Sequence, residues 1–195
     1  MGFLDVLLGR SKPAKPDLDR LFALPTAAVT LEAAAGFTPT GLGSVCFRAA
    51  EGGAFARLQR DVQELLDADE GPQVELSTDS YGYTWLLARH DPGDLAGLVT
   101  DLHAVNASLE SAGFGPHLLC SLAGFRGPGP GPDERPLALV YLYKRGTFYP
   151  FAPVPGAAER RDNALELQVR GAVGADLPFE DDLARWFPVW GAPGL

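Results

Sequence analysis

Between Asp94 and Ala112, Leu95, Leu98, Leu102, Val105 and Leu109 recur at three- and four-residue steps, and Val99 widens the stripe. That period predicts one long amphipathic helix, which must bury its apolar face against a second layer. Gly113 supplies its stop. The stripe is too short to argue for a coiled-coil dimer.

What surrounds this helix is strand-like. Gln73–Ser77 and Tyr83–Arg89 bracket a turn at Thr78 to Gly82 and predict a hairpin. Tyr83, Trp85 and Leu87 share one face of the second strand, with Thr84, Leu86 and Ala88 on the other. This aromatic side reads as core, with a ligand-facing Trp85 as the alternative. Leu137–Tyr143 and Thr147–Phe151 predict a second hairpin around Lys144-Arg145-Gly146, and Pro150, Pro153 and Pro155 make its returning strand an edge.

Ala28–Ala34, Gly43–Ala49, Leu118–Phe125 and the alternating Leu165, Leu167 and Val169 also read as strands. Ala54–Ala68 reads as a helix with Phe55, Leu58, Val62, Leu65 and Leu66 inward, and short helices are expected at Asp17–Leu24 and Phe179–Phe187. The fold class expected is therefore α+β: a largely antiparallel sheet packed against two main helices, with short terminal helices. Residues 1–16 form an amphipathic and basic N-terminal segment, and 17–195 a single domain with a flexible Gly-Pro loop at 126–136.

Charge narrows the function classes. The chain carries −9, yet in residues 1–16 Arg10, Lys12 and Lys15 face only Asp5, so this segment is +2 and the rest is −11. An acidic body repels a phosphate backbone, so nucleic acid is not expected as a partner. Phe3, Leu4, Leu7 and Leu8 share one side of a short helical turn, with the basic residues following. Such a segment suits weak contact with anionic lipid, docking on a partner, or packing on the domain's own core. Val6 stands where a myristoylation signal needs Ser or Thr, and no stretch approaches a membrane span or a secretory signal. The expected location is cytoplasmic, with any membrane contact peripheral.

No catalytic set emerges. Cys46 and Cys120 lie in apolar runs and read as buried free thiols. His90, His103 and His117 have no metal-ligand spacing, and Asp79, Asp91, Asp94 and Asp101 converge only if the fold brings them together. Gly41-Leu42-Gly43-Ser44 completes neither a dinucleotide fingerprint nor a nucleophile elbow. Asp176, Glu180, Asp181 and Asp182 read as a solvated acidic patch. No catalytic residue, cofactor or metal ligand is assigned.

The opening Met1 to Arg10, Phe37-Thr38-Pro39-Thr40-Gly41, Val45-Cys46-Phe47-Arg48, Thr100 to Asn106 and Lys144 to Phe151 together resemble the actinobacterial PspA-associated PspAB family across nearly the full chain. The resemblance implies a bacterial accessory connected with envelope stress, and a partner like PspA, the coiled-coil membrane-stress protein of the phage-shock system. More distantly, the chain is similar to the YbjN or secretion-chaperone-like group. A non-enzymatic adaptor or regulator is the leading expectation; a chaperone-like binding module and a small-molecule enzyme are the alternatives. Two contact sets are expected: Phe3, Leu4, Leu7, Leu8, Arg10, Lys12 and Lys15 for membrane or partner, and Lys144, Arg145, Phe148, Tyr149 and Phe151 as a protein-binding surface. The alternative for the second set is a hairpin whose aromatic edge is packed.

Overall fold

The computed structural model describes residues 16–67, 73–129 and 134–195. Six strands form one sheet: β1 (Thr38–Arg48), β2 (Glu75–Thr78), β3 (Tyr83–Arg89), β4 (Leu118–Gly127), β5 (Arg135–Leu142) and β6 (Thr147–Phe151). Their spatial order is β2-β3-β1-β4-β5-β6, and every neighbouring pair is antiparallel. Four helices accompany them: α1 (Leu24–Ala35), α2 (Gly53–Leu66), α3 (Leu95–Ser111) and α4 (Asn163–Val173). The α+β class and both predicted hairpins stand.

α3 follows its expected stripe, burying Leu95, Leu98, Val99, Leu102, Val105 and Leu109. Its N-cap Asp94 accepts a hydrogen bond from the Gly97 amide, satisfying one of the free donors of the first turn. At mid-helix the buried Asn106 donates to Ser121 on β4, a polar pin between helix and sheet.

Two segments expected as strands are helical. Ala28–Ala34 lies within α1, whose Leu24, Ala27, Ala28 and Leu31 are buried at helical spacing. The short helix expected at Asp17–Leu24 is a 3-10 helix at Leu18–Ala23, and Pro25 lies in the first turn of α1 directly after it, where proline's missing amide costs nothing. Leu165, Leu167 and Val169 belong to α4, where Leu165, Val169 and Val173 are buried four residues apart and Leu167 is 52% exposed. The Asp162 side chain accepts from the Leu165 amide at 3.0 Å and caps this helix. The closing helix expected at Phe179–Phe187 contracts to a single 3-10 turn at Leu183–Arg185.

β1 begins earlier than expected, running through Pro39, Gly41 and Gly43 with an irregular register against β4. At Gly41, φ is +75° and a β-carbon would lie 2.2 Å from the His90 carbonyl oxygen, so only glycine lets β1 pass there. The Gly-Pro connection is shorter than 126–136, since Gly127 still pairs with Arg135.

The sheet is buried on both sides, by different means. The helices cover one face and pack on Val45, Phe47, Leu86, Phe125, Leu139, Tyr141 and Phe148. On the other face Cys46, Trp85, Cys120, Leu122, Val140, Tyr149 and Phe151 meet Trp186, Val189 and Ala192 of the C-terminal segment. The segment comes so close to β4 that a β-carbon on Gly124 would sit 2.1 Å from the Gly194 carbonyl oxygen. Among the described residues no helix is long and apolar enough to cross a membrane.

The assignment of α4 is testable by paired truncations. Leu165→Ala should cost about 2–5 kcal/mol in denaturant unfolding, as for other buried leucines. Leu167→Ala should stay within about 0.5 kcal/mol. A half-buried strand carrying both leucines on one face would instead make the two losses similar.

Candidate functional site

The C-terminal segment covers the second face incompletely and leaves a cleft of about 650 Å³. Its floor comes from β1 and β4, where Cys46 and Cys120 are direct cross-strand partners. The next pair in register is Phe47 with Leu118, so Leu119 is the extra residue of a β-bulge, and it too lines the cleft. β3 contributes Trp85, β6 contributes Tyr149, and Phe187 to Trp190 form the far wall.

Hydrogen bonds fix these walls. Trp85 Nε1 donates to Asp79 Oδ2 at 2.9 Å, and the Tyr81 and Tyr83 amides donate to Asp79 Oδ1 at 2.9 Å each. Burial works against the charged form of Asp79, but the bonds from Trp85, Tyr83 and Tyr81 outweigh it and lower its pKa. Tyr149 donates its hydroxyl to the Phe187 carbonyl at 2.8 Å, and its ring stacks on Trp186 with centroids 6.2 Å apart. Trp190 meets Phe151 edge-on at 4.8 Å. The two thiols are free, and the Cys46 pKa is pushed up by its hydrogen bond to Cys120 and by burial. A thiol kept protonated in this way is a poor nucleophile.

The rim is charged. Glu180, only 2% exposed, accepts Arg145 Nε at 2.5 Å, Thr147 Oγ1 at 3.2 Å and Arg185 Nη1 at 3.4 Å. Burial raises its pKa, but the Asp182 amide, Arg145 and Thr147 more than compensate, so it stays below the ordinary carboxylate value. The expected solvated acidic patch is therefore wrong at Glu180, whose backbone also bonds with Phe148 of β6. Asp181 and Asp182 do remain outside. A second buried carboxylate, Glu166 of α4, accepts from Arg161 Nε and the Ala152 amide, each at 2.9 Å. Arg161 also donates to the Trp186 carbonyl, tying the C-terminal segment to α4.

The expected contact residues are distributed unevenly. Lys144 is exposed, Arg145 is half-buried, and both line the cleft. Phe148, Tyr149 and Phe151 are buried: Phe148 points to the helical side, while Tyr149 and Phe151 belong to the opposite core. Those three aromatics give packing rather than an exposed binding surface, although Tyr149 forms part of the cleft wall. Phe3, Leu4, Leu7, Leu8, Arg10, Lys12 and Lys15 lie outside the described residues. Pro16, the first that is described, shares a shallow recess with Lys144, Glu110 and Tyr143. Tyr141 donates to the Asp17 carbonyl at 2.8 Å, and Arg20 Nη1 donates to the Gly146 carbonyl at 2.6 Å. Pro16, Asp17 and Arg20 thus lie at the β5–β6 turn that carries Lys144 and Arg145.

Trp85 lines this cleft, and no histidine among the described residues does. His103 approaches Asp19, and His117 packs near Phe55 and Phe114. His90 lies between Asp94 (3.2 Å from Nδ1) and Asp101 (2.7 Å from Nε2), while Asp91 accepts from the Gly93 amide. Among the described residues no group of three or more His, Cys, Asp or Glu is arranged to hold a metal ion.

Comparison with known families matches residues 1–194 to PspAB, PspA associated protein B. No curated protein and no solved structure matches the chain.

The His90 geometry predicts a pH response. Burial lowers the imidazole pKa, but hydrogen bonds and charge from Asp101 and Asp94 outweigh it and raise the folded-state value above 6.5. The stabilisation is full below the unfolded pKa and is lost as pH rises through the folded one. NMR titration of Asp101→Asn should show the His90 pKa moving down, and unfolding of the variant should depend less on pH above about 6.5. An unmoved His90 titration contradicts the pairing.

Proposed function

The chain belongs to the PspAB family, and from that premise we propose that it is a non-enzymatic adaptor or regulator of a PspA-linked envelope-stress response. The observation that carries this reading is the place of Pro16, next in sequence to the basic segment, in the recess at the β5–β6 turn. The exposed Lys144 stands beside Pro16, where the segment bearing Arg10, Lys12 and Lys15 joins the body. An acidic protein of −9 thereby has an exposed cation beside the residue that follows its basic N-terminal segment. The chemistry of the adjoining cleft also favours contact over turnover. Its thiol Cys46 is held protonated, and its carboxylate Asp79 already accepts three hydrogen bonds.

The partner proposed is a PspA-like coiled-coil protein, which the family's name suggests. The location proposed is the cytoplasmic side of the inner membrane, with Phe3, Leu4, Leu7 and Leu8 making brief lipid contact. So small an apolar face gives weak, reversible attachment, and the basic residues supply a salt-sensitive share.

Purified full-length chain should retain a purified PspA-like protein in a pull-down, and removal of residues 1–16 should weaken that retention severalfold. In flotation with anionic vesicles, the intact chain should rise at low salt and fall back at about 1 M salt, where screening reaches about 3 Å. Absence of retention at any salt concentration would remove the direct contact from this reading.

A further inference from the structure

We propose that the cleft on the second face of the sheet is a binding site for a free fatty carboxylate, its acyl chain along the floor and its head at the β5–β6 turn. This goes beyond a PspA-linked role, because the site is built by the domain alone.

The volume of about 650 Å³ falls within the range of small-molecule sites, roughly 300–1,000 Å³. The lining is mostly apolar, with a few polar groups gathered at the rim. Tyr149 is stacked on Trp186 and Trp190 meets Phe151 edge-on, which holds two rings of the lining in place, and Tyr81, Tyr83, Trp85 and Phe187 complete its aromatic part. The floor itself is sulfur and aliphatic, from Cys46, Cys120, Leu119 and Leu142, a surface suited to methylene groups.

The polarity of the rim selects the head group. Lys144 pairs with no carboxylate among the described residues, and Arg145 and Arg185 share Glu180. Arg145 uses Nε and Nη2 and Arg185 uses Nη1, so each guanidinium retains donors. The acid of the opposite rim, Asp79, already accepts three hydrogen bonds from Tyr81, Tyr83 and Trp85 within the protein. The groups left for a ligand are donors, against the acidic character of the whole chain. A carboxylate accepts charge-assisted bonds from them, an alcohol accepts a weaker one without charge, and an ammonium accepts none.

All three tryptophans of the chain lie on this face, so intrinsic fluorescence reports on the cleft directly. Full-length protein is titrated with laurate, dodecanol or dodecylamine, each below its micelle-forming concentration. Laurate should give a saturable one-to-one change, and dodecanol should bind about tenfold more weakly, the loss expected for a hydrogen bond to a charged group. Dodecylamine should bind more weakly still. Lys144→Glu should weaken laurate about fivefold, whereas Arg57→Glu, an equal charge change on the exposed side of α2, should leave it unaltered. Leu119→Trp, which fills the floor, should abolish the laurate response while its unfolding transition stays cooperative. If the filled variant does not fold, the Lys144 and Arg57 comparison decides alone. Equal binding of laurate and dodecanol, preference for the amine, equal effects of both charge changes, or no saturable response each overturn the proposal. No PspA is present in the titration, so its failure is separate from any failure of the pull-down.

Discussion

One buried carboxylate organises the side of the molecule where the candidate site lies. Glu180 sits at the start of the C-terminal segment and gathers Arg145 and Thr147 from the second hairpin and Arg185 from the turn beyond. A buried charge persists only when it is paired and its remaining lone pairs are satisfied. The β5–β6 turn, the edge strand and the C-terminal segment are consequently one unit. The Phe148 amide donates to the Pro178 carbonyl and the Glu180 amide to the Phe148 carbonyl, so the edge of the sheet is not left open. Glu166 and Arg161 repeat the device one step further on, holding the segment at Trp186.

From this anchoring follows the difference between the two faces of the sheet. Helices cover the first face with regular stripes, and α3 is pinned to it through Asn106 and Ser121. The second face is covered by a single irregular segment that touches down at Trp186, Val189 and Ala192. A segment fixed at separate points spans the surface without filling it, and the cleft is the space it leaves. Its floor has the rigidity of paired strands, whereas its wall rests on the Arg161 and Glu180 contacts. Sites of this kind are largely preformed, with their selectivity set at the rim.

Much of this architecture is legible in the sequence because burial on one face leaves a period. The α3 stripe and the two hairpins are of that kind, and Trp85 is placed on the correct face of β3 by simple alternation. Leu165, Leu167 and Val169 show why period alone fails in short windows. They alternate like a strand, yet Leu165, Val169 and Val173 also recur every fourth residue, and only the Asp162 cap favours the helix. In α1 the alanines carry little hydrophobic contrast, so β-branched Val29 and Thr30 suggest a strand that Pro25 and Gly36 instead bracket as a helix. Glu180 is misread because neighbouring acids imply solvent, while its arginine partner on the second hairpin lies 35 positions away. The cleft leaves no local signature, since Cys46, Asp79, Cys120, Lys144 and Val189 come together only after the sheet and its cover have formed.

Lys144 is where the proposed partner edge and the proposed ligand cleft touch, since it borders both the cleft and the recess beside Pro16. Two binding events that use the same ammonium are coupled by whatever its interaction with each is worth, and the coupling is reciprocal. For one exposed charge that energy is about 1 kcal/mol or less. A carboxylate held at Lys144 thus weakens an acidic partner's contact there by roughly fivefold at most, and the partner weakens the carboxylate equally. Larger coupling requires movement of Arg145 or Arg185, which means disturbing the buried Glu180 that holds the cleft wall. The same ion-pair cluster that builds the site therefore limits how strongly a ligand in it can influence the edge, and a graded adjustment of docking fits this geometry better than an on-off switch.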